Sequence, residues 1–380
     1  MTAVPLEPLR DRLSSLDRAP GPMDVAAAMR DEGMIVTDAG LIQVVDALRR
    51  HSVGAGVLDP LLREPGITDV LVNGPEQVYV DRGSRLELTD IQFAHDDEVR
   101  RLAQRLAALV GRRLDDASPY VDARLPDGTR VHAILSSLAA PGTCLSLRVP
   151  ASRRFSLEDF VASGSICPGG ADLLRQMIMA RLAFLISGGT GSGKTTLLSA
   201  LLALVPRSER VVIVEDSREL APDHPHVVRL EARPANAEQA GAVTLTDLVR
   251  QSLRMRPDRV VVGEVRGPEI CDLLVALNTG HEGGCGTVHA NSAADVPARL
   301  EALGALGGLG REAMHAQLAA ALHVVVHLSR IRGRRRVSEI CVLHREASGL
   351  VRADVAILFG VDGSIQLGPG SRRLDRMLDR

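Results

Sequence analysis

Hydrophobic and polar positions change rhythm twice along this chain. The first 60 residues carry helically spaced apolar positions: Pro20-Gly21-Pro22 breaks the first segment, and Leu41 to Arg50 predicts a short amphipathic helix. From Ile67 the spacing becomes strand-like. Ile67-Thr68-Asp69-Val70-Leu71-Val72 leads into a turn at Asn73-Gly74-Pro75 and then Gln77-Val78-Tyr79-Val80-Asp81. A helix follows, with Asp96 or Asp97 as N-cap, Val99, Leu102, Leu106, Leu109 and Val110 on one face, and Gly111 at its end. A second hairpin, Asp122 to Leu125 and Thr129 to His132 around Pro126-Asp127-Gly128, and a strand from Leu145 to Val149 complete a small α/β domain over 61–150. Residues 1–60 form a helical extension ahead of it.

Past an arginine-rich stretch from Pro150 to Ser156, in a linker assigned to 151–165, helices alternate with short continuous apolar strands. Helices over 171–182, 195–204, 243–254 and 268–279 interleave with strands over 183–187, 211–214 and 260–262. Helices over 295–303 and 311–321, a strand over 323–328 and Arg336 to Val342 complete the pattern, while the tail from Glu346 carries little periodicity. Alternation of this kind implies a parallel sheet covered on both faces, with ligands at the carboxyl ends of its strands. The fold class is therefore α/β, with the larger domain over 166–380.

At 380 residues, 45% hydrophobic and 24% charged, the chain suits a soluble protein of two or three domains. No apolar run reaches the roughly 18 residues of a membrane span, and Met1 to Leu13 lacks a signal-peptide core. A cytoplasmic protein that meets membranes only through partners is expected. The five cysteines are scattered without a C-x-x-C pair, which disfavours structural zinc or disulfides. A net charge of −2 argues against a chain-wide nucleic-acid footprint, although Arg330, Arg332, Arg334, Arg335 and Arg336 form a local basic run.

The chemistry centres on Gly188-Gly189-Thr190-Gly191-Ser192-Gly193-Lys194-Thr195, followed by Thr196. This fits G-x-x-x-x-G-K-[ST], in which backbone N–H groups cradle the phosphates of a nucleoside triphosphate, and it stands between a predicted strand and a predicted helix, as the motif requires. Lys194 is the only lysine among 45 basic residues. In an arginine-dominated chain, one retained ammonium marks a place that needs a compact, flexible point charge.

Two predicted strands end in carboxylates. Val260-Val261-Val262-Gly263-Glu264 has the form of a Walker B element, and Val211-Val212-Ile213-Val214-Glu215-Asp216 offers Glu215 as a general base. Either acid alone could cap a helix or pair with a cation; together, after a phosphate loop in one sheet, they point to hydrolysis. In Gly280 to Asn291, His281, Cys285 and His289 have four-residue spacing, but Gly283, Gly284 and Gly286 oppose the helix a metal site would need. A loop bringing His289 to the γ-phosphate is the reading preferred over a packed, hydrogen-bonded histidine. In the second hairpin a symmetric register sets Arg124 opposite Arg130 and Asp122 opposite His132. Two arginines side by side call either for an anion or for a solvated face neutralised by Asp122.

With these pieces in order the chain resembles the type II/IV secretion-system ATPase superfamily, most nearly its tight-adherence pilus branch. The matching segments are Gly188 to Thr196, Val211 to Glu219, Leu253 to Gly267 and Gly283 to Ser292, with Ile67 to Asp81 and Val121 to Val131 similar to the family's N-terminal domain. The resemblance implies a hexameric ring of subunits, each a PAS-like N-terminal domain hinged to a RecA-like P-loop domain, with ATP and Mg²⁺ in the cleft between them. It implies phosphate contacts from Arg124 and Arg130, with Arg148 a further candidate, and the base role for Glu215. Glu264 would act on Mg²⁺ and its water, Thr195 on Mg²⁺, and His289 as γ-phosphate sensor; Arg254 and Arg266 would lie near the site or the subunit interface. The implied function is an ATP-hydrolysing motor for pilus assembly or protein secretion. It would work at the inner face of the cytoplasmic membrane on a platform protein, requiring neither nucleic acid nor membrane insertion. A conjugation-type ATPase assisting DNA transfer is the runner-up. A non-hydrolysing nucleotide-binding scaffold is disfavoured by the presence of both Glu215 and Glu264. The chain lacks the tetracysteine insertion of extension-type members, and Thr287-Val288-His289 departs from the Thr-x-His-Thr of retraction motors, so retraction is not implied.

Overall fold

In a computed structural model the chain divides into two compact units, Met1–Ser152 and Arg153–Arg380. The structure describes residues 21–34, 36–37, 40–41, 54–83, 85–150, 154–233, 235, 240–331 and 333–379, together with Leu9, Leu13 and Val44. Most of the helix expected over Leu41 to Arg50 lies outside the described residues, as do Ala151, Ser152, Arg153 and Arg332.

In the first unit, α1 (Pro22–Asp31) begins where Pro22 occupies the first helical turn, a position at which a missing N–H costs nothing. After the short α2 (Asp59–Arg63) come β1 (Asp69–Asn73), β2 (Val78–Asp81), β3 (Leu86–Leu88), α3 (Asp96–Ala108), β4 (Tyr120–Arg124), β5 (Arg130–Ile134) and β6 (Cys144–Arg148). Among the described residues the six strands form one sheet in the order β3-β2-β1-β6-β5-β4. Alternation sends Val70, Val72, Val80, Val131, Ala133, Leu145 and Leu147 to one face, where they pack with Leu102 and Leu106 of α3. Burying each such leucine contributes roughly 1.5–3 kcal/mol.

The N-cap of α3 differs from the expectation. His95 holds that position, and the Asp96 carboxylate instead accepts from the Thr143 backbone N–H (2.6 Å) and hydroxyl (3.0 Å), pinning the entry to β6.

The second unit opens with α4 (Leu157–Ala162), whose Leu157 and Phe160 are buried in the unit's main core. This helix falls within the stretch read as linker, where polar flanking residues masked its two anchors. There follow α5 (Pro168–Met179), β7 (Phe184–Gly188), α6 (Lys194–Leu202), β8 (Val211–Glu215), β9 (Val227–Glu231), α7 (Leu245–Ser252), β10 (Arg259–Val265) and α8 (Glu269–Asn278). Then come β11 (Cys285–Val288), α9 (Val296–Leu306), α10 (Arg311–Ala321), β12 (Val324–Ile331), β13 (Arg334–Arg345), β14 (Val351–Phe359), β15 (Ile365–Leu367) and α11 (Ser371–Leu378).

Their sheet runs β15-β14-β13-β12-β7-β11-β10-β8-β9. From β12 to β9 neighbouring strands pair in parallel; β13, β14 and β15 extend the edge antiparallel. Phe184 and Ile186 pack with α5 and α6 on one face, and Leu185 packs with α8 and α10 on the other. That is why these strands read as unbroken apolar runs. The sheet continues through the tail that carried little periodicity.

Candidate active site

Four adjacent strands, β7, β11, β10 and β8, present their carboxyl ends side by side. The phosphate loop leaves β7 and enters α6 at Lys194, with Gly193 as N-cap at φ 95°, a left-handed conformation that excludes most side chains. Ser192 Oγ is buried without a hydrogen-bond partner in this loop. A buried donor without a partner, beside a helix N-terminus, fits an oxyanion.

Lys194 is 7% exposed; its Nζ donates to the Gly188 and Gly189 carbonyls, each at 2.9 Å, and lies 3.3 Å from His289 Nδ1. Burial lowers the ammonium's pKa, with the Glu264 charge opposing.

His289 follows β11. Its Nε2 is 3.0 Å from Glu264 Oε1, yet burial first and the Lys194 charge second push its pKa below the ordinary value. The contact is therefore a hydrogen bond from a neutral ring, Nε2–H donating to Glu264 and Nδ1 facing Lys194. Glu264 Oε2 accepts from Arg266 Nη2 at 2.5 Å, and Arg266 Nε reaches Asp216 Oδ2 at 3.3 Å. Lys194, His289, Glu264, Arg266 and Asp216 thus form one chain of contacts across the strand ends. Arg254 is exposed in the turn after α7.

Glu215 ends β8 with only 3% exposure. Its Oε1 accepts from the Glu219 (2.9 Å) and Leu220 (2.8 Å) backbone N–H groups, while Oε2 is buried without a partner. Burial outweighs these bonds and raises the pKa to about 7. Glu215 packs over Gly263, where an added Cβ would meet its Cγ at 2.6 Å.

The glycine-rich stretch is the main correction to the sequence reading. Cys285–Val288 is strand β11, buried between β7 and β10, rather than loop. A Cβ on Gly286 would lie 2.6 Å from the Val262 carbonyl oxygen, so glycine marks a close strand approach here. Thr287 Oγ1 donates to the Gly263 carbonyl at 2.7 Å, fastening β11 to β10 just before His289 and Glu264. Burial pushes the Cys285 thiol up to about 12, and His281 Nδ1 instead faces the Ala276 carbonyl at 3.2 Å.

In the first unit the expected register is present: Arg124 pairs with Arg130, and Asp122 with His132 at 2.8 Å between side chains. The register of β5 with β6 then sets Arg130 opposite Arg148, making a row of three arginines on the sheet face remote from α3. Arg148 Nε donates to Asp69 Oδ1 at 3.1 Å at the end of the row.

Two features escaped the sequence reading. Arg335, part of the basic run, donates from Nε to the Gly191 carbonyl at 2.9 Å and so braces the phosphate loop. Arg336 likewise turns inward, to the Val361 (2.5 Å) and Gly360 (3.0 Å) carbonyls. At the opposite end of β10, Arg259 is 1% exposed and bonds Glu209 Oε2 at 2.6 Å and the Ile178 carbonyl at 2.9 Å. Arg181 holds the other Glu209 oxygen at 3.0 Å. The spacing of RMRPDRVVVGEVRG gave no means of telling this buried arginine from its exposed neighbours.

A doubly covered parallel sheet with a phosphate loop after β7 and acids ending β8 and β10 defines a RecA-like P-loop nucleotide-binding domain. Residues 51–332 match the Type II/IV secretion system protein family, and the chain belongs to it. It is 56% identical over 323 residues to the Mycobacterium tuberculosis protein Rv3659c, which is named for conjugal transfer, covering 83% of this chain and 92% of that one. It is 35% identical over 259 residues to the type IV secretion system protein PtlH of Bordetella pertussis, covering 62% and 76%. The solved pilus retraction motor PilT with bound ADP has a similar fold, with TM-score 0.54, 18% identity and coverage of 85% and 86%. These relatives carry conjugal-transfer, secretion and pilus names, and none of them is named for tight-adherence pili. Among the described residues no helix is long and apolar enough to cross a membrane.

Proposed function

We propose that the protein hydrolyses ATP to ADP and phosphate and, as a ring of identical subunits, drives a membrane-bound secretion or pilus-assembly machine. The observation that carries this reading is the contact of Lys194 with His289 and of His289 with Glu264, which joins the phosphate loop to the Walker B acid. The phosphate-loop N–H groups and Ser192 would hold the β- and γ-phosphates, and Lys194 would leave the Gly188 and Gly189 carbonyls for phosphate oxygens. Thr195 and, through water, Glu264 are the residues that would hold Mg²⁺, which when bound neutralises charge on the phosphates. An Mg²⁺ ion that keeps several waters needs few protein ligands, so this sparse donor set fits it. Glu215, with a pKa of about 7, is suited to take the proton of attacking water. His289 would register the γ-phosphate by giving up its contact with Lys194 and binding a proton at Nδ1, so that Nδ1–H donates to a phosphate oxygen.

The arginine row supplies the proposed coupling. Arg124 and Arg130 would engage phosphate when the two units close, and release it after hydrolysis, so that fuel favours one arrangement over the other. The platform protein at the inner membrane is the proposed recipient of that motion. Changing Glu264 to Gln tests the enzyme reading: turnover should collapse while ATP binding persists.

A second reading is favoured by the conjugal-transfer name of the 56% relative: the same motor would assist DNA transfer. Arg335 and Arg336 donate to backbone carbonyls within the protein, which weakens the basic run as a DNA footprint; Arg330, Arg334 and Arg335 are exposed. Salt-dependent binding of duplex DNA that is lost on Arg330→Ala with Arg334→Ala would favour this second reading.

A further inference from the structure

His327 lies on β12 beside β7, in register with Ser187, the residue just before the phosphate loop. It is 6% exposed, and its Nδ1 is 2.8 Å from Ser187 Oγ, itself fully buried. Burial lowers its pKa, opposed first by the Glu339 charge on β13 and then by a hydrogen bond to the backbone of Asn291, two residues past His289. Ser338 Oγ donates to the His327 carbonyl at 3.1 Å, where the pairing of β12 with β13 shifts register. A neutral ring can satisfy both neighbours, accepting from Ser187 at Nδ1 and donating to Asn291 through its other nitrogen. One buried side chain therefore touches the strand entering the phosphate loop and the segment leaving His289.

We propose that His327 is a positioning residue for the ATPase site: it fixes the separation between the phosphate loop and the His289 segment, so that Lys194 and His289 address the same phosphate. It has no part in the chemistry itself. The consequence rests on the ATPase reading above, but the linkage does not require turnover to be observed.

His327→Leu keeps similar bulk and removes both polar contacts, whereas His327→Gln restores one acceptor and one donor. Ser187→Ala removes the same link from the other side with His327 in place. For the full chain, the affinities of fluorescent ATP and ADP analogues and steady-state ATPase kinetics are measured with thermal melts as a check of folding. His327→Leu and Ser187→Ala should lower kcat about tenfold with KM for ATP changed less than about threefold, and should bring the ATP-to-ADP affinity ratio towards one. His327→Gln should recover most of both. A His327→Leu or Ser187→Ala protein that is folded and keeps the wild-type ratio and kcat overturns the proposal, as does failure of His327→Gln to rescue a folded His327→Leu defect. If His327→Leu does not fold, Ser187→Ala with the affinity ratio decides. A wild type that prefers ATP to ADP but releases no phosphate would overturn the enzyme reading and leave the affinity ratio to decide this one. A wild type that binds neither nucleotide would overturn both.

Discussion

Nδ1 of His289 lies 3.3 Å from Nζ of Lys194, so the chain's one lysine meets the histidine that follows β11. The contact gives His289 a ground-state partner that the γ-phosphate competes with, and an ADP-bound site lacks that competitor. His289→Ala should therefore leave ADP affinity within about threefold of wild type while kcat falls about 10- to 100-fold. Isothermal titration and phosphate-release assays check the two halves; a fall in ADP affinity matching the fall in kcat would count against a sensing role.

Glu215 sets a pH dependence. Its folded pKa, about 7, stands above the ordinary glutamate value of roughly 4.3, so between these values the folded chain holds a proton that the unfolded chain has lost. The group's contribution to stability is fully present below the unfolded pKa and is lost as pH rises through about 7. Thermal melts should show wild type losing more stability than Glu215→Gln between about pH 4 and about pH 8, a range that brackets the window. In turnover the sign is opposite: a base must be ionised, so kcat should fall as pH drops through about 7.

The arginine row makes a separate prediction. Arg130 stands between Arg124 and Arg148 in the pairing of β4, β5 and β6, at the middle of the row. Replacing Arg124 and Arg130 together by alanine should leave nucleotide binding nearly intact and reduce kcat by about 100-fold, the scale of removing a charge-stabilising donor. Kinetics and nucleotide titrations on the double variant check both halves.

Far from the phosphates, Glu209 holds Arg259 and Arg181 together. Glu209→Ala would strand a buried guanidinium and should destabilise the second unit by about 3–5 kcal/mol. Urea unfolding followed by a probe in that unit measures it, while ATP affinity at low temperature should change little.

The residues differ in how openly the sequence declared them. Gly188 to Thr196, Glu215 and Glu264 were legible because short apolar strands and a fixed glycine spacing leave few alternatives. The Arg124 and Arg130 pairing was legible from hairpin symmetry. Strand β11 was hidden because Gly284 and Gly286 look like loop residues until neighbouring strands approach within contact distance. Strand β9 was missed because all five of its residues are half-buried at an edge, without a continuous apolar run. His327 and Arg335 were invisible because their partners, Ser187 and Gly191, lie 140 and 144 positions away. Local periodicity carries no trace of contacts at that range.

The most direct test is phosphate release from ATP and Mg²⁺ by the full chain and by Glu264→Gln, side by side, with ATP binding and oligomer size measured on the same samples. Steady release by wild type is expected, with at least about 100-fold slower release by a variant that still binds ATP and assembles equally. Equal release by both proteins, or ATP bound by wild type and never cleaved even with membranes and its partner present, would contradict the account.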